Sequence, residues 1–228
     1  MLNKKKRLSR KEIKEDKLLT FSAKAYNFVN DNKQRIMIWT VAVAVVIVAV
    51  IFYKQSSTAN NEAAGLALSR VMNYYDNGQY QQAIDGMPGS NVTGLKQIIE
   101  QYGSSENGEI AKIYLANSYF MLDKLEDAYK YYSDYGGGLD IYKAAALAGE
   151  AGYFGNKNEY KKAADLFRQA SRVSEDNALN PEYMLKASIN YIKAGNKEEA
   201  KTLLEVIKKD FTASSAFREV DKYLAQVN

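Results

Sequence analysis

NYIKAGNKEEAK (residues 190–201) decides the fold, because its frame occurs three more times: NYYDNGQYQQAI (73–84), SYFMLDKLEDAY (118–129) and GYFGNKNEYKKAA (152–164). In register, one column reads Tyr74, Tyr119, Phe154 and Tyr191. Four residues on stand Gly78, Asp123, Asn158 and Gly195, and five further on Ala83, Ala128, Ala163 and Ala200. Successive alanines lie 45, 35 and 37 residues apart, periods in the range of stacked helical units. Around each copy the apolar residues recur at three and four, as on a helix.

Each column has a physical task. The aromatic closes one helix and fills the gap to its partner. Gly, Asp and Asn best tolerate the left-handed backbone that a tight helix-to-helix turn requires. Alanine lets the second helix approach the first. Seven residues before the turn stand Val71, Ala116, Ala151 and Ser188, mostly small, where crossing backbones also crowd. Asn180-Pro181-Glu182 is expected to supply an N-cap, a proline in the first helical turn and a dipole-matched acid.

Outward from this region, the first spacing is about 10 residues too long for a plain repeat. The surplus lies in residues 85–109, which open with Gly, Pro and Ser and then offer a short helix over Gly94–Tyr102 with Leu95, Ile98 and Ile99 on one face. Residues 213–227 read as a capping helix with Phe217, Val220, Tyr223 and Leu224 facing inward, which a stack needs to cover its last apolar face.

The N-terminal side is different in kind. Ile36 to Tyr53 is an uncharged run of 18 residues, IMIWTVAVAVVIVAVIFY. As a helix it is about 27 Å long, close to the hydrocarbon thickness of a bilayer. It has no polar stripe, unlike a core helix, and Trp39 and Tyr53 sit near its ends, where aromatic rings favour the membrane interface. Residues 1–35 hold 11 Lys and Arg against four acids, whereas residues 54–228 hold 20 against 23. The positive-inside bias then keeps the N-terminus cytoplasmic and sends the C-terminal domain across. The expected domains are a basic tail with an amphipathic helix (1–35), a transmembrane helix (36–53), a polar linker or frayed helix start (54–61) and a helical domain (62–228). Ser57-Thr58-Ala59 leaves a second possibility, cleavage to a soluble adaptor.

Chemistry is narrowly bounded. With no His and no Cys, histidine bases, thiol nucleophiles and Cys/His zinc sites are absent, as are disulfides. No P-loop, GxSxG or GxGxxG occurs, and Tyr135-Gly136-Gly137-Gly138 lacks the Lys-Ser/Thr of a phosphate loop. The expectation is a non-enzymatic binding module without cofactor or metal. Its partners would be other proteins and a lipid bilayer, not nucleic acid.

The four-column frame resembles the tetratricopeptide repeat (TPR), a 34-residue helical hairpin, over about residues 62–210. It departs from that pattern in lacking the tryptophan near each repeat start, and Lys197 replaces the usual aromatic after the turn. The resemblance implies an all-α chain: a single transmembrane helix, then a TPR-like α-solenoid of about four hairpins with a C-terminal cap. The usual groove positions carry over to Leu68, Met72 and Tyr75, to Ile113, Asn117 and Phe120, to Ala148, Gly152 and Gly155, and to Leu185, Ile189 and Ile192. Only Asn117 fits the carboxylate-clamp type of groove. KEIKEDKLLTF (11–21), GLKQIIEQYGSSENGEIAKIYLANSYF (94–120) and NPEYMLKASINYIKAGNKEEAKTLLEVIKKDF (180–211) are similar to the Bacteroidetes and Chlorobi form of the YfgM-like family of membrane-anchored TPR proteins. That resemblance implies an inner-membrane protein with a periplasmic TPR domain, ancillary to the Sec translocon and to chaperone hand-over during protein export. An accessory subunit of another envelope complex is the alternative.

Overall fold

The computed structural model describes residues 10–227, with side chains from residue 20 onward. Those residues form eleven α-helices: α1 (Arg10–Asp31), α2 (Lys33–Asp76), α3 (Tyr80–Asp85), α4 (Leu95–Tyr102), α5 (Glu106–Met121), α6 (Leu125–Ser133), α7 (Asp140–Asn156), α8 (Tyr160–Ala170), α9 (Asn180–Lys193), α10 (Lys197–Asp210) and α11 (Phe217–Leu224). The chain divides into two compact units, Met1–Ser56 and Ser57–Asn228.

In the second unit the repeat frame becomes four hairpins: the end of α2 with α3, then α5 with α6, α7 with α8, and α9 with α10. From α5 onward, each second helix packs on its own first helix and on the first helix of the next hairpin, which is how a solenoid propagates. The four turns are built alike. Gly78, Asp123, Asn158 and Gly195 have φ of 72°, 58°, 62° and 81°. Their amides donate to Tyr75, Phe120, Gly155 and Ile192 carbonyls at 3.0–3.2 Å, and the next amides donate to Tyr74, Tyr119, Phe154 and Tyr191 carbonyls at 2.8–2.9 Å. This paired bonding is the Schellman motif, which satisfies carbonyls that a helix end leaves open.

The columns flanking each turn are packed. Ala83, Ala128, Ala163 and Ala200 are at most 1% exposed, and Val71, Ala116, Ala151 and Ser188 are fully buried. Of the aromatics, Tyr119, Phe154 and Tyr191 are buried and Tyr74 is half-buried. Three core clusters run along the unit, around Leu115 and Ile98, around Tyr191 and Phe167, and around Leu204 and Ile207.

The surplus of residues 85–109 substitutes for a broken second helix. α3 stops after six residues at Gly86-Met87-Pro88, and α4 resumes the packing against α5. Leu95 and Ile98 are fully buried and Ile99 is half-buried. The surplus ends earlier than residue 109, because Ser105 caps α5 by accepting from the Gly108 amide (3.1 Å).

Three boundaries differ from expectation. Residues 54–61 are helical within α2, since KQSSTANN holds neither Gly nor Pro to stop the hydrogen-bond ladder. Asn61 then binds the start of α5: its Oδ1 accepts from the Asn107 amide at 2.8 Å. Asn180 is not an N-cap. It is the first residue of α9, and its Nδ2 donates to the Ser174 carbonyl (2.7 Å), fastening the preceding loop. The capping helix covers only Phe217–Leu224, because residues 212–216 form a turn whose Ser214 Oγ accepts from the Phe217 amide. Val220 is buried there, with Phe217, Tyr223 and Leu224 half-buried.

In the first unit, residues 36–53 lie within α2, and Trp39 and Tyr53 are 71% and 76% exposed. α2 is the one helix among the described residues long and apolar enough to cross a membrane, and its most apolar window is wholly unburied.

Candidate protein-binding groove

A cavity of about 280 Å³ opens between the first helices α5, α7 and α9. Asn117 and Phe120 reach it from α5, Ala145, Ala148, Gly149 and Gly152 from α7, and Tyr183 and Lys186 from α9. Tyr132 of α6 and Phe167 of α8 complete the lining. Small residues on α7 open the space and larger ones on both sides bound it. A Cβ on Gly152 would meet only the Phe120 ring, at 3.6 Å. At Gly149 the backbone itself abuts Tyr132: an added Cβ would lie 2.4 Å from its ring, so α6 and α7 come together only because no side chain intervenes.

Asn117 and Tyr132 are tied to each other and to Tyr75. Tyr132 donates its hydroxyl to Asn117 Oδ1 (2.6 Å), and Asn117 Nδ2 donates to the Tyr75 hydroxyl (3.2 Å). Burial holds the Tyr132 hydroxyl far above its ordinary pKa and raises that of Tyr75. Tyr75 also begins an edge-to-face run through Tyr114 (5.0 Å) to Tyr142 (6.4 Å). The Tyr114 pKa is pushed up to about 12, first by burial and then by its hydrogen bond with Tyr142. Lys186 lies 5.8 Å over the Phe167 ring and makes no ion pair among the described residues.

Of the groove positions carried over from sequence, Asn117, Phe120, Ala148 and Gly152 line this cavity. Leu68, Ile113 and Leu185 do not face it openly; at 7%, 2% and 4% exposure they are core. Met72 and Tyr75 are half-buried against the first core cluster, Ile192 against the second and Ile189 against the third. Gly155 is half-buried beside Asn190. Tyr132 and Phe167 stand on the second helices α6 and α8, outside the first-helix positions from which a TPR groove is expected. A signal for them exists: both stand four residues after a framing alanine, in a column reading Met87, Tyr132, Phe167 and Leu204. No group of three or more His, Cys, Asp or Glu poised for a metal occurs among the described residues.

No protein-family model matches the chain, and no curated protein matches it. Solved structures do. Two crystal structures of nearly identical TPR-like repeats of a Podosopora anserina kinesin-light-chain-like protein, the first a single-residue variant, superimpose with TM-scores of 0.56 and 0.55. The matches cover 73% of this chain and 85% and 86% of those chains, at 14% identity. At that identity the likeness is one of fold, and it agrees with the repeated turns and alanine contacts: the chain carries an all-α, TPR-like repeat fold.

Proposed function

We propose that this chain is a single-span membrane protein presenting a TPR-like scaffold, and that the cavity between α5, α7 and α9 receives an apolar side chain of a partner protein. The observation that carries the reading is the cavity's chemistry. Its walls are largely aromatic rings and small residues, its Asn117 and Tyr132 polar atoms are bonded to each other and to Tyr75, and one cation stands at its rim. Such a site captures a bulky apolar group on a peptide. It does not suit carboxylate capture, since Asn117 is already engaged by Tyr75 and Tyr132.

The span follows from the uncharged run 36–53, and its orientation from the basic excess before it. On this reading the scaffold faces the periplasm from the inner membrane and serves Sec-dependent export or chaperone hand-over. Support for the export role is the YfgM-like resemblance alone. The test is crosslinking in intact membranes from photoreactive residues placed at Phe120 and Lys186, both of which line the cavity, with Gly152→Leu filling it as control. Adducts with the Sec channel or a periplasmic chaperone, lost in Gly152→Leu, are expected. Adducts with an unrelated complex would remove the export role, and internal crosslinks alone would remove the groove.

A further inference from the structure

We infer that α1 is a lipid-binding element that lies along the anionic leaflet at the N-terminal end of the span. The inference rests on the membrane-anchored reading and adds a second contact with the bilayer.

Phe21, Ala25, Phe28 and Val29 follow one another at four, three and one residues, which puts them on one face of α1. Phe21 is 73% exposed, Phe28 64% and Val29 52%. Asn27 and Asn30 occupy the opposite face, also exposed. An aromatic stripe of this kind left in water is unfavourable and calls for a cover.

Two observations identify the cover as lipid. The first is charge. The 11 Lys and Arg of residues 1–35 against four acids complement anionic headgroups, whereas residues 54–228 carry no such excess. The second is continuity. α1 ends at Asp31 and α2 begins at Lys33, so the stripe stops within eight residues of Ile36, the first residue of the uncharged run. Nucleic acid would also attract the charge, and unpaired bases could stack on Phe21 and Phe28, but it would leave the aliphatic Ala25 and Val29 of the same face uncovered and would not account for the adjoining uncharged run.

Asn32, the residue between the helices, is where we place the bend that would lay α1 on the surface; in the structure helical bonding runs through it, the Ile36 amide donating to its carbonyl at 2.9 Å. Both its amide (3.0 Å) and its side-chain Nδ2 (2.9 Å) donate to the Phe28 carbonyl. If the backbone swings here and the amide bond is lost, the side chain keeps that carbonyl satisfied. Asn is also among the few residues that accept a left-handed helix end.

The chain has no cysteine, so single labels are unique. Full-length variants Ala25→Cys, Val29→Cys, Asn27→Cys, Asn30→Cys and, within the run, Ala44→Cys would be spin-labelled. They would be reconstituted in vesicles of phosphatidylcholine with one-third phosphatidylglycerol, and relaxation by oxygen and by a water-soluble nickel chelate would report depth. The expected result is a several-fold higher oxygen-to-nickel ratio at 25 and 29 than at 27 and 30. Each basic side chain near an anionic surface changes partition by roughly fivefold, so the contrast should collapse in phosphatidylcholine alone and in Phe21→Ser/Phe28→Ser. Equal ratios at all four α1 positions, with Ala44→Cys deep in lipid, would overturn the inference and leave the anchor standing. A water-exposed label at 44 would overturn both. A contrast that ignores lipid charge but changes on adding RNA would assign the tail to nucleic acid instead.

Discussion

Gly195→Ala isolates the left-handed turn from every other contribution to the fourth hairpin. Gly195 has φ of 81°, and a Cβ built there meets nothing within 4 Å. The cost is therefore one of backbone conformation and not of crowding. A left-handed residue with a side chain costs roughly 1–2 kcal/mol. The reduced freedom of the unfolded chain returns roughly 0.5 kcal/mol, leaving a net loss of about 1 kcal/mol. For a folded unit of this size that lowers the melting temperature by roughly 2–4 °C. Gly195→Asn should lose less than half as much, because Asn158 already occupies the equivalent turn at φ 62°. Gly138→Ala is the control: it too has open space around its Cβ, without a positive φ, and should be neutral or slightly stabilising. Far-UV circular dichroism melts of the full chain in detergent would measure the three. Because stability in a repeat stack is local, amide exchange should quicken by about fivefold in α9 and α10 and little in α5 and α6. If Gly195→Ala melts with the parent, or Gly195→Asn falls as far as the alanine variant, the left-handed requirement is not what the column encodes.

Three further outcomes test the packing and the electrostatics. Gly149→Ala places a Cβ 2.4 Å from the Tyr132 ring and should cost about 1–2 kcal/mol despite alanine's better helix propensity, whereas Gly152→Ala, with its nearest contact at 3.6 Å, should gain about 0.5 kcal/mol; urea unfolding would separate them. Lys112 Nζ is held by Glu109 (2.8 Å) and Asp134 (2.9 Å), so Lys112→Met should cost roughly 2 kcal/mol by stranding the largely buried Glu109, while Asp134→Asn at the exposed end should cost under about 0.5 kcal/mol in the same assay. Tyr114, Tyr132 and Tyr191 all have folded pKa values raised above the ordinary 10.0, principally by burial, so the stability they confer is intact below pH 10 and lost as pH climbs through the folded values. Melting temperatures recorded against pH should therefore stay level up to that point and then fall, less steeply in Tyr132→Phe.

How far the structure could be read in the sequence depended on what each residue answers to. Gly78, Asp123, Asn158 and Gly195 answer to their own backbone, and Ala83, Ala128, Ala163 and Ala200 to a helix held at fixed distance. Both constraints repeat at constant spacing, so they were legible. The interruption at Gly86-Met87-Pro88 was legible for the same reason, but not its consequence, that α4 would take up the packing α3 abandons. That depends on Leu95 and Ile98 meeting α5 across the turn. Asn180 misled because an Asn before Pro suits a cap, whereas here the residue is itself helical: its Nδ2 donates to the loop carbonyl of Ser174 and its Oδ1 accepts from no helix amide. Residues 54–61 misled because polar composition was read as a break where no breaker exists.

The groove was the least legible part, for a reason inherent in its construction. Carrying positions over by register supposes that every repeat turns the same stripe to the concave face. The stripe begins that way, but Leu68, Ile113 and Leu185 are drawn into the core, where burying a Leu or Ile side chain is worth roughly 1.5–3 kcal/mol. On α7 the same register holds Ala148, and Gly152 follows, so nothing fills the interval between α5 and α9. Buried rings from the second helices, Tyr132 and Phe167, thereby form part of its wall. The cavity is the product of one repeat's small residues set among neighbours with large ones. Its specificity should accordingly respond to substitutions on α7 more than to those on the flanking helices. Gly152→Leu should remove binding while Met72→Ala, half-buried against the first cluster, changes stability alone. An equal loss of partner capture from both variants would mean that recognition is spread along the whole face and not seated in this cavity.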